Sequence, residues 1–201
     1  MSDPLKIAIA GLGTVGVGVV RVLNQNGVQI ARRCGRDIIV TAVSARDSKR
    51  DRGVDLSSFD WYDDPISMAR DADVDVYVEL IGGEEGVAKD SCEAAIASGK
   101  SVVTANKALI AHHGTELALK AEQGNLALAY EAAVAGGIPI VKSLREGLAG
   151  NQVTGLYGIL NGTCNYILTT MRETGREFED VLAEAQALGY AEADPSFDVD
   201  G

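Results

Sequence analysis

Residues 5–16, LKIAIAGLGTVG, decide how the chain is read. Leu5–Ala10 is a short apolar run with β character, and Gly11-Leu12-Gly13-Thr14-Val15-Gly16 follows without a gap. A GxGxxG pattern alone is weak. Set between a strand and a helix, it has a mechanical meaning. Gly11 permits a tight turn, Gly13 lets the backbone approach a pyrophosphate, and Gly16 lets the helix pack closely on the strand. That helix, expected over residues 14–26 with a stop at Gly27, would offer its N–H groups and positive dipole end to phosphate. The alternative is a glycine turn without a ligand.

Working outward, apolar runs and helical runs alternate. Further strands are expected at 37–45, 74–81, 101–105 and 126–130. Helices are expected at Pro65–Asp71, 87–98 and 113–123, with a polar loop over 46–64. Strand and helix in alternation imply parallel pairing through right-handed crossovers. The near-continuous apolar strands fit a sheet covered on both faces. The first part therefore reads as an α/β fold, a Rossmann-type doubly wound parallel sheet.

Past Gly136-Gly137 the pattern changes. The sequence predicts a helix over 138–149 with Pro139 in its first turn, a strand over 152–160 and a helix over 162–173. A last amphipathic helix, 177–188, sets Phe178, Val181, Leu182, Ala185 and Leu188 on one face. Residues 190–201 are acidic and lack periodicity, and the chain stops without a cap or closing strand. The expectation is a nucleotide-binding domain over 1–131 and an incomplete α+β substrate or dimerisation domain over 132–201.

The net charge of −11 argues against nucleic-acid and anionic-membrane partners, whose phosphates favour a basic face. There is no apolar run of about 18 residues, so no membrane span is expected. Met1-Ser2-Asp3-Pro4 has no basic leader region. Cys34, Cys92 and Cys164 are odd in number and widely spaced, which suits structural thiols in a reducing compartment and hence the cytoplasm.

Several segments carry candidate chemistry. Arg46, with Lys49 or Arg50 nearby, stands where a guanidinium would grip a ribose 2′-phosphate, which favours NADP. Asp47 stands where a carboxylate would take a 2′-hydroxyl, which keeps NAD open. Lys107, in Thr104-Ala105-Asn106-Lys107, lies beyond a strand end and points at the cleft, or else at solvent. The turn Glu131–Pro139 is a hinge, or a set of carbonyls fit for a hard cation. Asn161 and Thr163 can donate to a substrate carboxylate, or Asn161 caps a helix. Glu192, Asp194 and Asp198 clamp an ammonium, or form an exposed acidic loop. His112 and His113 are expected to cap a helix or face solvent.

Taken together, GLGTVG, NKALIA (106–111), EAAVAGGIPIV (131–141), GILNGTCNYIL (158–168) and GYAEADPSFDVDG (189–201) resemble homoserine dehydrogenases nearly end to end. The last three segments are far more specific than the glycine motif. The resemblance implies NAD(P)H-dependent, reversible reduction of L-aspartate 4-semialdehyde to L-homoserine, in the pathway to threonine, methionine and isoleucine. It implies that Gly11, Gly13, Thr14, Val15 and Gly16 cradle the coenzyme phosphates. Arg46, with Lys49 second, would meet a 2′-phosphate. Gly82, Thr104 and Gly189 would line the coenzyme. Lys107 would sit between nicotinamide and substrate, with Glu192 and Asp198 on the substrate. Carbonyls of Glu131, Val134, Gly136 and Ile138 would hold a sodium ion. A homodimer formed through the second domain is also implied. In the family an Asp and then a Lys follow DVDG, and this sequence ends before both, so coenzyme binding is expected to survive better than turnover. Two other readings stand beside this one: a non-catalytic NAD(P)-sensing module, and another amino-acid-pathway oxidoreductase.

Overall fold

In the computed structural model, which describes residues 3–158 and 161–191, the opening segment Leu5–Ala10 forms strand β1. It lies inside a six-stranded sheet with β2 (Ile38–Ser44), β3 (Asp60–Tyr62), β4 (Val76–Glu79), β5 (Ser101–Thr104) and β6 (Leu128–Ala129). The order is β3-β2-β1-β4-β5-β6, with every pair parallel. The chain steps outward from β1 to β3, crosses back to β4, and steps outward the other way. That reversal leaves a crevice beyond the carboxyl ends of β1 and β4, where ligands of such sheets bind. The expected doubly wound sheet is therefore present.

Alternation along β1 divides the packing. Ile7 and Ile9 meet Val17 and Val20 of α1 (Thr14–Cys34) on one face. The small Ala8 and Ala10 face the other side, where Met68 of α2 (Pro65–Asp71), Cys92 of α3 (Val87–Ala97) and Leu109 and Leu117 of α4 (Lys107–Gln123) fill the core.

The boundaries differ from the sequence reading in instructive places. Helix α1 does not stop at Gly27 but runs on to Cys34. Gly35, at φ 77°, closes it in the left-handed region and donates to Ala31 O at 2.8 Å. An interior glycine costs a helix only about 1 kcal/mol. The left-handed cap, with Arg32 and Arg33 in the last turn, is the stronger stop signal. Strand β3 lies within the expected loop and pairs Ala42 with Asp60 through Ser44 with Tyr62. Helix α4 begins six residues earlier than expected, because Asn106 caps it by accepting from Leu109 N at 3.0 Å.

The chain forms two compact units, Met1–Ala149 and Gly150–Gly201. Late in the first, the expected helix over 138–149 is reduced to α5 (Ile140–Lys142) running into a π-turn, Ser143–Gly147. Neither piece buries a residue, so nothing outweighs the poor helix propensity of Gly147 and Gly150. In the second unit, α6 (Gly162–Thr174) and α7 (Phe178–Ala187) pack through Ile167, Val181 and Ala185. Leu188 is exposed and falls outside the expected apolar face. The strand expected over 152–160 is not formed in residues 152–158, and 159–160 lie outside the described residues. A strand needs a ladder partner, and among the described residues of this unit none pairs with it.

Candidate functional site

The three glycines of the first turn do different jobs. Gly11 has φ 95°, and a Cβ there would stand 2.3 Å from Leu80 O. A Cβ on Gly16 would stand 1.9 Å from Gly11 O. The protein's own backbone therefore excludes side chains at both. A Cβ on Gly13 would meet nothing within 4 Å. The middle glycine opens onto empty space, the cradle that an approaching phosphate needs. Gly13 is also the N-cap of α1 and has no side chain to cap with, so no N-cap side chain occupies the first-turn N–H groups, the kind of donors an anion can use. Thr14 and Val15 are exposed beside it, and Gly16 is buried.

This turn borders a cleft of about 420 Å³ that Gly11, Gly13, Arg46, Asp47, Arg50 and Arg52 help to line. Arg46, expected near a ribose 2′-phosphate, is among the residues on this wall. Lys49 does not line the cleft; its N–H closes a turn onto Asp47 Oδ1 at 2.8 Å, and Arg50 reaches the wall instead. Sequence reasoning missed Arg52. Its guanidinium donates to Leu12 O (3.2 Å), Arg50 O (2.8 Å) and Asp47 O (2.6 Å), and lies 5.6 Å from the centre of the Trp61 ring.

Across the crevice, Glu79 ends β4 fully buried. Its carboxylate accepts from Ile81 N (2.6 Å), Gly82 N (3.1 Å) and Thr104 Oγ1 (2.6 Å). Thr104 Oγ1 in turn accepts from Asn106 N at 2.9 Å, and Asn106 Nδ2 donates to Gly83 O at 2.5 Å. Gly82 and Thr104, both expected along the coenzyme, are thus joined through one buried acid. Lys107 opens α4 directly after this network and is exposed. A carboxylate ending an otherwise apolar strand was the available signal for Glu79. His112 and His113 do not cap α4. They lie in its second turn, with His113 Nε2 2.7 Å from Glu85 Oε1 and His112 Nε2 4.0 Å from Glu84 Oε2.

At the junction, Ala135 (φ 48°) and Gly137 (φ 85°) turn the backbone sharply. The Glu131 carboxylate accepts from Val141 N (3.0 Å) and Lys142 N (2.9 Å). Its carbonyl accepts from Val134 N, and the Ile138 carbonyl accepts from Ile140 N. Each of those two carbonyls keeps a second lone pair for a hard cation. Among the described residues no group of three His, Cys, Asp or Glu could hold a metal.

In the second unit, Asn161 Oδ1 accepts from Cys164 N at 2.9 Å, the capping role. Thr163 Oγ1 donates to Tyr190 O at 2.7 Å. Gly189 sits at φ 78° just past α7. Glu192 and Asp198 lie outside the described residues. No helix among the described residues is long and apolar enough to cross a membrane.

Residues 11–131 match the sequence model of the homoserine dehydrogenase NAD-binding domain, and 139–201 match that of homoserine dehydrogenase. The homoserine dehydrogenase of Pseudomonas aeruginosa is 54% identical over 98% of this chain and 45% of its own length. The crystal structure of a homoserine dehydrogenase from Thiobacillus denitrificans superposes with a TM-score of 0.90 at 47% identity, over 98% of this chain and 45% of that one. A hyperthermophilic archaeal homoserine dehydrogenase in complex with NADPH gives 0.84 at 27% identity, over 99% and 66%. The chain spans about half the length of the curated relatives it matches.

Proposed function

Because the chain belongs to the homoserine dehydrogenase family, we propose that it forms the coenzyme-binding part of an oxidoreductase that interconverts L-aspartate 4-semialdehyde and L-homoserine. The observation that carries this reading is Gly13, open toward the cleft between two glycines fixed by the fold itself. The coenzyme, when bound, supplies the hydride. The chain's own part is to orient and to stabilise charge. Gly11, Gly13 and the first turn of α1, with Thr14, Val15 and Gly16, receive the pyrophosphate. Gly82 and Thr104 hold the coenzyme's reactive end, set in place by Glu79. The Lys107 ammonium stabilises negative charge as it develops on the carbonyl oxygen. For the second unit we assign Gly189 to the coenzyme, and Glu192 and Asp198 to substrate, with Glu192 on its ammonium. Asn161 and Thr163 already serve local structure, and any substrate contact they make is added to that. The carbonyls of Glu131, Val134, Gly136 and Ile138 are suited to a sodium ion, through which no step runs.

Between NADP and NAD, the reading favours NADP. Arg46 and Arg50 set two guanidinium groups on the cleft wall against the single carboxylate of Asp47, and one carboxylate oxygen is already used by Lys49 N. The NADPH complex of the archaeal relative supports the same choice. A cytoplasmic, homodimeric enzyme of threonine, methionine and isoleucine biosynthesis completes the proposal. Calorimetric titration of the purified chain tests it. NADPH is expected to bind at least about fivefold more tightly than NADH. Failure of both to bind would remove the coenzyme reading, and tighter NADH would reverse the preference.

A further inference from the structure

We propose that Arg52 is a positioning residue for coenzyme discrimination: it ties the phosphate turn to the loop that carries Arg46 and Arg50, and so fixes where a ribose 2′-phosphate is received. The inference rests on the coenzyme reading above.

Three carbonyls, one from the glycine turn and two from the loop, meet on one guanidinium. Nε donates to Leu12 O in the glycine turn, Nη2 to Asp47 O and Nη1 to Arg50 O. The planar fork is what lets one side chain reach three carbonyls in fixed directions, and an ammonium cannot reproduce it. The face of Trp61 lies beside the group, 5.6 Å from ring centre to Cζ. The backbone of Arg52 is held as well, since Arg21 Nη2 of α1 donates to Arg52 O at 3.4 Å. The loop is thus anchored to the turn and helix that receive the pyrophosphate.

The two parts have separate means of local support. The glycine turn is also held by Gly11 N on Ser44 O at 2.9 Å and by the packing of Gly16 on Gly11. The loop has its own Asx turns, Asp47 with Lys49 N and Asp51 with Gly53 N. Loss of the Arg52 side chain therefore leaves both pieces folded but removes the direct tie from the loop to the glycine turn, leaving only the long bond from Arg21 to the Arg52 carbonyl. NADH, with no 2′-phosphate, depends on the turn. NADPH depends on the turn and on the loop standing at the right distance from it.

The test is calorimetric titration of the parent chain, Arg52→Lys and Arg46→Ala with NADPH and with NADH, with thermal unfolding as the fold control. Arg52→Lys keeps the charge. It is expected to weaken NADPH about tenfold and NADH less than about twofold. NADPH affinity within twofold of the parent overturns the proposal, because charge alone then suffices. Equal losses for both coenzymes overturn it too, because Arg52 then only braces the glycine turn. If Arg52→Lys does not fold, Trp61→Leu, which withdraws the ring, takes its place. It should lower the NADPH to NADH affinity ratio about threefold, and an unchanged ratio is the refuting result. Arg46→Ala separates the premise from the inference: if it leaves the NADPH preference intact, the coenzyme assignment of Arg46 fails, whatever Arg52 does.

Discussion

Thr104 donates its hydroxyl proton to the Glu79 carboxylate across 2.6 Å, joining the carboxyl ends of β5 and β4 beneath the loop that carries Gly82. A buried carboxyl group is tolerated where its oxygens are hydrogen-bonded, and here two backbone N–H groups and a hydroxyl bond to them. Glu79→Ala would strand the buried Thr104 hydroxyl and leave the Ile81 and Gly82 N–H groups without this acceptor. The expected loss is about 3 kcal/mol in urea unfolding followed by circular dichroism. Glu79→Gln, which keeps one acceptor oxygen, should lose less. A Glu79→Ala chain within about 1 kcal/mol of the parent would show that the network carries no stability.

The glycine turn invites a paired comparison. Gly16→Ala drives a methyl into Gly11 O and should destabilise the first unit by more than about 2 kcal/mol. Gly13→Ala meets no atom of the protein, and its φ of −78° suits alanine. Its melting temperature should stay close to that of the parent, with at most about 1 kcal/mol lost from the cap position. Its NADPH affinity should fall more than about tenfold. Unchanged binding in Gly13→Ala would mean that no phosphate approaches there.

Asp64 supplies a pH-dependent term. Its carboxylate caps α2, accepting from Ser67 Oγ (2.7 Å), Ser67 N (2.9 Å) and Ile66 N (3.2 Å). The hydrogen bonds from Ser67 hold its pKa below the ordinary carboxylate value. A carboxylate with a depressed folded value stabilises above the unfolded value, about 3.9, and loses that contribution as pH falls through the folded one. Asp64→Ala should cost about 1 kcal/mol at neutral pH. The gap from the parent should close below about pH 4. A gap that persists, undiminished, in acid would contradict the assignment.

The cysteines should separate cleanly under an aromatic disulfide reagent at mildly alkaline pH. Cys34 is exposed and should react first. Cys92 is fully buried, and burial, followed by the charge of Glu79, pushes its thiol well above the ordinary range. It should stay protonated and react only after unfolding. Fast labelling of all three thiols in the native chain would show that the core around Cys92 opens readily.

Much of the sheet was legible because each signal was local. Strand β1 and its glycine turn follow from adjacent residues, and α2 is bounded by Asp64 and Pro65, a cap and a first-turn proline. What escaped was set by distant partners. Three residues at Asp60–Tyr62 are too few for a period, and β3 exists because β2 offers it an edge. Arg52 was one basic residue among several. Its contacts lie at Leu12, Asp47, Arg50 and Trp61, so no local pattern marks it. The run 152–158 reads as a strand by composition and is not one, since β structure belongs to a pair. The candidate site divides in the same way. The glycines and Arg46 came from motif and position, while the Glu79 network came from the crossing of two strand ends.

Trp61 is the chain's sole tryptophan, and it lies in the first unit beside Arg52. Indole emission therefore witnesses only the larger of the two units. A denaturation curve recorded by that emission would look cooperative even if the α6–α7 pair had already melted. The second unit has the Tyr166–Tyr190 pair, its rings 5.0 Å apart, and a Tyr166→Phe, Tyr190→Phe chain would isolate by difference the near-ultraviolet signal that reports on it.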